Sequence, residues 1–128
     1  MTEHSEFRFA FFARNFESSV AFYRDTLGME LVGDWDRPDG KGALLSAGGT
    51  AVIEIYGAAQ GQAYTGPSPT AVNLAVRLES TQAVDGFHQR LAGLGTARLE
   101  PPQDRPWGHR SFVVSDPDGI PIHFYCER

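Results

Sequence analysis

At 128 residues and 14.0 kDa, with 41% hydrophobic and 12% aromatic residues, the chain can bury one compact core or two small halves that share one. Its net charge of −5 and pI near 5.2 argue against nucleic acid or an anionic membrane as the main partner, because both reward a basic face. A single cysteine, Cys126, excludes an internal disulfide.

Taken in chain order, residues 7–13 (Phe-Arg-Phe-Ala-Phe-Phe-Ala) read as a strand rich in aromatics. Asn15 is a helix N-cap, followed by Phe16, Val20, Tyr23 and Leu27 at helical spacing, with Gly28 as terminator. Residues 29–34, 41–47 and 50–56 then read as three strands, broken by Pro38-Asp39-Gly40 and by Gly48-Gly49. Residues 57–70 have the Gly, Pro and Ser content of a linker. The second half repeats the order. Residues 71–78 form a strand, Ser80 or Thr81 caps a helix with Val84, Phe87, Leu91 and Leu94 on one face, and Gly95 ends it. Strands follow at 97–100, 110–115 and 120–126, the last two joined by the turn Asp116-Pro117-Asp118-Gly119.

The halves also match residue on residue. When residues 8–14 are laid over 73–79, Ala10 falls on Ala75 and Phe22 on Phe87. When the strand ending at Tyr56 is laid over the one ending at Tyr125, Ile53 meets Ile122 and Glu54 meets His123. The expected fold is therefore α+β, two βαβββ modules forming curved mixed sheets around a cavity. The modules span residues 1–56 and 71–128, with 57–70 between them.

Strand parity assigns the faces. Phe9, Phe11 and Ala13 meet a helix, as do Ile53, Ile55, Leu74, Val76, Leu78, Ile122 and Phe124. Arg8, Phe12, Glu54, Tyr56, Asn73, Arg77, His123 and Tyr125 are left on the opposite faces, an unusual mixture of charge, amide, imidazole and aromatic ring. Trp35, Trp107 and His109 lie near strand ends and loops, where an exposed indole forms a stacking platform. His88, on a helix, is expected to be solvated, and Cys126 to be a buried, inert thiol.

The text Phe22-Tyr-Arg-Asp-Thr-Leu-Gly-Met-Glu-Leu31, then Ala51-Val-Ile-Glu-Ile55, then Asp116-Pro-Asp-Gly119 with its trailing strand resembles the vicinal-oxygen-chelate superfamily. That group holds glyoxalases, bleomycin-resistance proteins and extradiol dioxygenases. Pro106-Trp-Gly-His-Arg110 is most similar to the bleomycin-resistance branch. In metal-dependent members of the superfamily, four inward positions supply His, Glu or Gln to a divalent ion. The resemblance places them on Arg8, Glu54, Asn73 and His123, the same positions that the internal repeat pairs. Guanidinium has no free lone pair and stays protonated, and an Asn amide oxygen is a weak ligand for zinc or nickel. Opposite charges about 4 Å apart attract by roughly 4 kcal/mol at an effective dielectric near 20, so Arg8 can fill the cation's electrostatic role beside Glu54. His4, four residues upstream, has the right parity to replace Arg8 as a ligand but sits about 13 Å away along an extended chain.

The function expected is metal-independent binding of a small aromatic or amphipathic molecule, such as an antibiotic or natural product, for sequestration, resistance or carriage. The ligand contacts expected are Arg8, Phe12, Trp35, Glu54, Tyr56, Asn73, Arg77, Trp107, His109, His123 and Tyr125. No cofactor is expected; a divalent metal at Glu54 and His123 is the minority reading. The alternative is a glyoxalase-like lyase, isomerase or dioxygenase, either metal-dependent or using Glu54 and His123 as an acid/base pair with Arg8 on a developing oxyanion. The resemblance further implies a homodimer. The polar Met1–Glu6 segment, and the lack of any run of about 20 apolar residues, lead to the expectation of a cytoplasmic protein without membrane partners.

Overall fold

A computed structural model describes residues 5–128, so His4 lies outside the described residues. The chain divides into two compact units, Met1–Pro69 and Thr70–Arg128. Each carries one four-stranded mixed sheet and one helical segment on one side of it.

In the first unit, β1 (Phe7–Phe12), β2 (Glu30–Arg37), β3 (Gly40–Ser46) and β4 (Ala51–Gly57) lie in the order β1-β4-β3-β2. β1 pairs parallel with β4, and the other neighbours are antiparallel. In the second unit, β5 (Leu74–Arg77), β6 (Gln103–Asp104), β7 (His109–Ser115) and β8 (Pro121–Glu127) repeat that arrangement as β5-β8-β7-β6. The registers repeat as well. Ala10 stands opposite Glu54, and Ala75 stands opposite His123. Phe12 faces Tyr56, and Arg77 faces Tyr125. The pairings read from the sequence repeat are thus pairings of position.

The apolar faces carry the core. Phe11, Ala13, Ile53 and Ile55 are buried in the first unit, and Ile122, Phe124 and Cys126 in the second. They meet Val20, Tyr23 and Leu27 from the first helical segment and Val84 and Leu91 from the second, which are also buried. Phe87 closes edge-to-face on Phe124 at 4.8 Å.

The first helix departs from the regular α-helix that the spacing predicts. Asn15 caps α1 (Phe16–Ala21), its side chain accepting from Ser18 N. The backbone then widens into a π turn at Phe22–Thr26, where Leu27 N donates to Phe22 O at 2.9 Å. Gly28, at φ 78°, allows the next N–H, from Met29, to reach back to Tyr23 O. The apolar stripe survives because Tyr23 and Leu27 still face the sheet. α2 (Thr81–Gly93) is a regular helix capped by Ser80, which accepts from Ala83 N. It ends on Gly95 at φ 70°, with Thr96 N bonded to Leu91 O and Gly95 N to Ala92 O, a Schellman closure.

Two expected strands are corrected. The strand expected over 71–78 is only Leu74–Arg77, because Ala71 adopts φ 57° and the chain enters the sheet late. The strand expected over 97–100 is replaced by one isolated bridge, Leu99 to Val114. Arg98 at φ 53° interrupts any extended run there, and the edge strand is the short β6 further along. Leu94 caps α2 and is 58% exposed, so it leaves the apolar face assigned to it. His88, expected to be solvated, is half-buried with its ring edge-on to Phe112 at 5.3 Å. Among the described residues no helix is long and apolar enough to cross a membrane.

Asp116 pins the last hairpin. It is fully buried, and its Oδ1 accepts from Asp118 N at 2.9 Å and Ile120 N at 2.8 Å. Removing a buried acceptor leaves those donors unpaired, at about 1–3 kcal/mol for each group. Asp116→Ala is therefore expected to lower stability by about 2–4 kcal/mol in urea unfolding, while Asp118→Ala, whose carboxylate is not the acceptor for these two N–H groups, changes it less.

Candidate functional site

The non-helical face of each sheet collects the residues singled out from the sequence, and each unit builds its own group. In the first unit the register sets three rows across the strands. Phe12 and Tyr56 lie in line with Gly42 and Trp35, Ala10 and Glu54 with Leu44 and Gly33, and Arg8 and Val52 with Ser46.

The first row is an aromatic platform. Phe12 lies 5.0 Å from Tyr56, and Trp35 lies 6.4 Å from Tyr56. Gly42 is what seats the indole: a Cβ there would come within 2.1 Å of the Trp35 ring. The ring fills the space its cross-strand neighbour leaves empty. Arg37 covers its outer side, with the guanidinium carbon 5.9 Å from the ring centroid. A concavity of about 220 Å³ opens over this end of the sheet, bounded by Phe12, Trp35, Tyr56, Arg37 and Asp39.

Tyr64 joins the platform, stacked on Phe12 at 5.2 Å and anchored by its hydroxyl donating to Pro67 O. The sequence reading passed over it because the surrounding Gly, Pro and Ser marked 57–70 as linker. The available signal was one aromatic ring in an otherwise small-residue segment.

Beside the platform, Arg8 and Glu54 come together as expected. Arg8 Nη1 donates to Glu54 Oε1 at 3.2 Å, and Arg8 Nε donates to Glu6. Glu54 is mostly buried, its side chain 12% exposed, whereas Arg8 is 40% exposed. The bond to Glu6, and next the bond to Glu54, push the guanidinium pKa above its already high ordinary value. Arg8 is therefore a fixed positive charge held against a sheltered carboxylate. Burial, and next a hydrogen bond to Glu54, push the Tyr56 phenol up from its usual range. The Glu54 carboxylate is thus engaged by Arg8, with Tyr56 two residues further along β4.

In the second unit, His123 lies half-buried opposite Ala75 and Val113. Tyr125 stacks on His109 at 4.6 Å with planes 18° apart, and His109 meets Trp107 edge-on at 6.5 Å. Trp107 is 66% exposed at the tip between β6 and β7. Arg77, also exposed, pairs with Glu127 at 3.6 Å. Arg105 was missed in the sequence. Its Nε donates to Ser111 Oγ at 2.8 Å, and Ser111 faces Tyr125 across β7 and β8. Nothing in the local pattern distinguished it from the other arginines of a loop. Asn73 is the exception among the expected residues: it precedes β5 rather than standing within it, and it is exposed. Among the described residues no group of three or more His, Cys, Asp or Glu side chains is arranged to hold a metal ion.

The family model for the Glyoxalase/Bleomycin resistance protein/Dioxygenase superfamily matches residues 7–124. A search of the curated proteins found no match. Among solved structures, an antibiotic binding protein from Streptomyces sp. CB03234, TnmS3, superposes with a TM-score of 0.77 at 24% identity, covering 100% of this chain and 99% of that one. A superfamily member from Sphaerobacter thermophilus DSM 20745 gives 0.75 at 21% identity, with 98% of both chains covered. A lactoylglutathione lyase from Agrobacterium tumefaciens gives 0.70 at 18% identity, covering 98% of this chain and 95% of that one.

Two outcomes follow from the platform and the Glu54 bonds. Gly42→Val is expected to expel the Trp35 indole, shifting the tryptophan emission toward the red. Tyr56, whose folded pKa is raised, supplies stability that is full below the unfolded value of about 10 and is lost as pH rises through the folded one. In an ultraviolet titration Tyr56 should ionise after an unperturbed tyrosine, and Glu54→Gln should bring it earlier.

Proposed function

Since the chain belongs to the glyoxalase/bleomycin resistance protein/dioxygenase superfamily, we propose that it binds a small aromatic or amphipathic organic molecule without a metal and holds it for sequestration, resistance or carriage. The observation that carries this reading is the Arg8–Glu54 pair. Metal-dependent relatives present lone pairs at both positions; here one is a protonated guanidinium that has none. The remaining positions are Glu54, His123 and the neutral amide of Asn73. Two good donors are fewer than a catalytic zinc draws from its protein, so the set does not fit the group.

What supports an aromatic ligand is the make-up of the two faces. Phe12, Trp35, Tyr56 and Tyr64 in one unit, and Trp107, His109 and Tyr125 in the other, offer ring surfaces beside a few polar groups: Arg8, Glu54, Asn73, Arg77 and His123. That is the usual composition of a small-molecule site. The antibiotic binding protein from Streptomyces sp. CB03234 has the same fold. So does the lactoylglutathione lyase, which keeps an enzymatic alternative in view: Glu54 and His123 as base and acid, with Arg8 steadying an oxyanion. The bonding of Glu54 favours the binding reading, because a carboxylate already hydrogen-bonded by Arg8 is poorly placed to take a proton from substrate. We extend the proposal to a cytoplasmic homodimer, the commonest symmetric assembly.

The test is a panel of planar aromatic antibiotics screened by thermal shift and calorimetry, with and without EDTA. A binder at about 100 times its Kd should stabilise the fold by about 2.7 kcal/mol, and EDTA should not change that. Phe12→Ala and Tyr56→Ala should each weaken binding by about tenfold, since a ring contact contributes about 0.5–1.5 kcal/mol beyond its buried area. Stoichiometric zinc, nickel, iron or manganese in protein purified without chelator overturns the metal-free reading. Failure of every aromatic compound to stabilise the fold overturns the choice of ligand.

A further inference from the structure

The matched registers of the two units expose one difference on the helix side of the sheets. In the second unit Arg110 stands on β7 between Cys126 of β8 and Asp104 of β6. Its guanidinium donates to Asp85 of α2 through Nε at 2.8 Å and to Asp104 through Nη1 at 3.0 Å, tying the helix to the edge strand. The equivalent residue in the first unit is Lys41, which stands between Gly57 of β4 and Asp36 of β2. Lys41 makes only half of that bridge. Its Nζ lies 2.8 Å from Glu17 Oε1 on α1 and 5.1 Å from the centroid of Phe16. Asp36 acts on it through charge alone. A guanidinium fork can span two carboxylates, whereas an ammonium is a point charge that settles on one.

In the first unit a cleft of about 350 Å³ lies between the helical segment and strands β2 and β3. Phe16, Val20, Leu31, Trp35 and Ala43 contribute its apolar surface, and Asp34 and Asp36 its charged edge. Asp34 and Asp36 stand opposite Ala43 and Lys41, so both project to the helix side. The other charges in the lining are matched: Lys41 by Glu17, and Arg24 by a two-bond contact to Asp25. Neither Asp34 nor Asp36 has an ion-pair partner among the described residues, so the charge left over is that of two carboxylates beside an apolar floor. A void of this size falls in the range of small-molecule sites.

We propose that this cleft is a second binding site, for a small organic cation: an ammonium or guanidinium head on an aromatic or aliphatic body. The head takes beside Asp36 and Asp34 the place that the Arg110 guanidinium takes beside Asp104. The body lies on Val20, Leu31 and Ala43. The cleft lies between the helical segment and the sheet, with Trp35 the one platform ring in its lining, and the proposal does not rest on the function proposed above.

The probe is benzylamine, followed by amide chemical shifts in an NMR titration, with benzyl alcohol as the neutral isostere and benzoate as the anion. Benzylamine is expected to move the amides of Val20, Asp34, Asp36 and Lys41, and to bind at least about tenfold tighter than benzyl alcohol. Asp34→Asn/Asp36→Asn should weaken benzylamine by about tenfold. Lys41→Arg, which gives the first unit the guanidinium of the second, should fill the cleft from within, abolish benzylamine binding and raise Tm. The proposal is overturned if benzylamine shifts only platform residues such as Phe12 and Tyr56, if benzyl alcohol binds as well as benzylamine, or if either variant binds benzylamine unchanged.

Discussion

In each unit the first strand of a βαβββ segment must return beside the last, in parallel, and the chemistry of both faces hangs on the register of that closure. A parallel pair cannot be closed by a tight hairpin, so a helix and two strands are threaded between its members. The side-chain period of a strand is two residues. A slip of β1 by one residue against β4 would turn Arg8 and Phe12 toward the helix, away from Glu54 and Tyr56, and bring Phe11 out to water. The buried set Phe11, Ala13, Ile53 and Ile55 fixes the register through the hydrophobic effect. The polar face is placed as a consequence. Nothing about Arg8 and Glu54 needs to be stabilising for them to meet.

That separation explains how so varied a set of residues occupies equivalent positions. Ala10 and Ala75 oppose Glu54 and His123, and their small side chains leave those longer ones room to stand upright on the sheet. A position whose backbone is held by packing on the far side tolerates a carboxylate in one unit and an imidazole in the other. The outer face of the first sheet likewise tolerates Arg8. The pair it forms with Glu54 is partly solvent-screened, so it determines the charge of the site far more than the stability of the fold. Function and folding are carried by opposite faces of the same strands.

The sequence disclosed what depends on period and lost what depends on backbone exceptions. Strand alternation and the repeat were enough to place Phe12, Glu54, Tyr56, His123 and Tyr125, because burial on one face leaves no choice about the other. The π turn at Phe22–Thr26 was invisible, since Tyr23 and Leu27 keep helical spacing whether the ring of the hydrogen bond is closed by four residues or five. Ala71 and Arg98 adopt positive φ although neither is a residue that favours it, so Asn73 fell outside its strand and the strand expected over 97–100 dissolved. Tyr64 was missed for a different reason: linker composition says that a segment need not pack, not that no ring within it will. Apart from Tyr64 the aromatic residues were legible one by one, but the seating of Trp35 over Gly42 required knowing which strands are neighbours.

The same register that makes the halves alike makes their remaining differences informative. Lys41 and Arg110 occupy one position in the repeat, each next to an edge-strand aspartate and each reaching for an acid on its helix. With the backbone equivalent, the difference reduces to the shape of two cationic groups. The planar fork satisfies helix and edge strand together, and the single ammonium satisfies the helix and leaves the strand's carboxylate exposed. α1 runs on into the π turn at Phe22–Thr26, whose Tyr23 is fully buried, so the difference lies in the two cations rather than in the helix. The two units thus differ at this position in side-chain geometry on matched backbones, with one acid bonded in the first unit and two in the second.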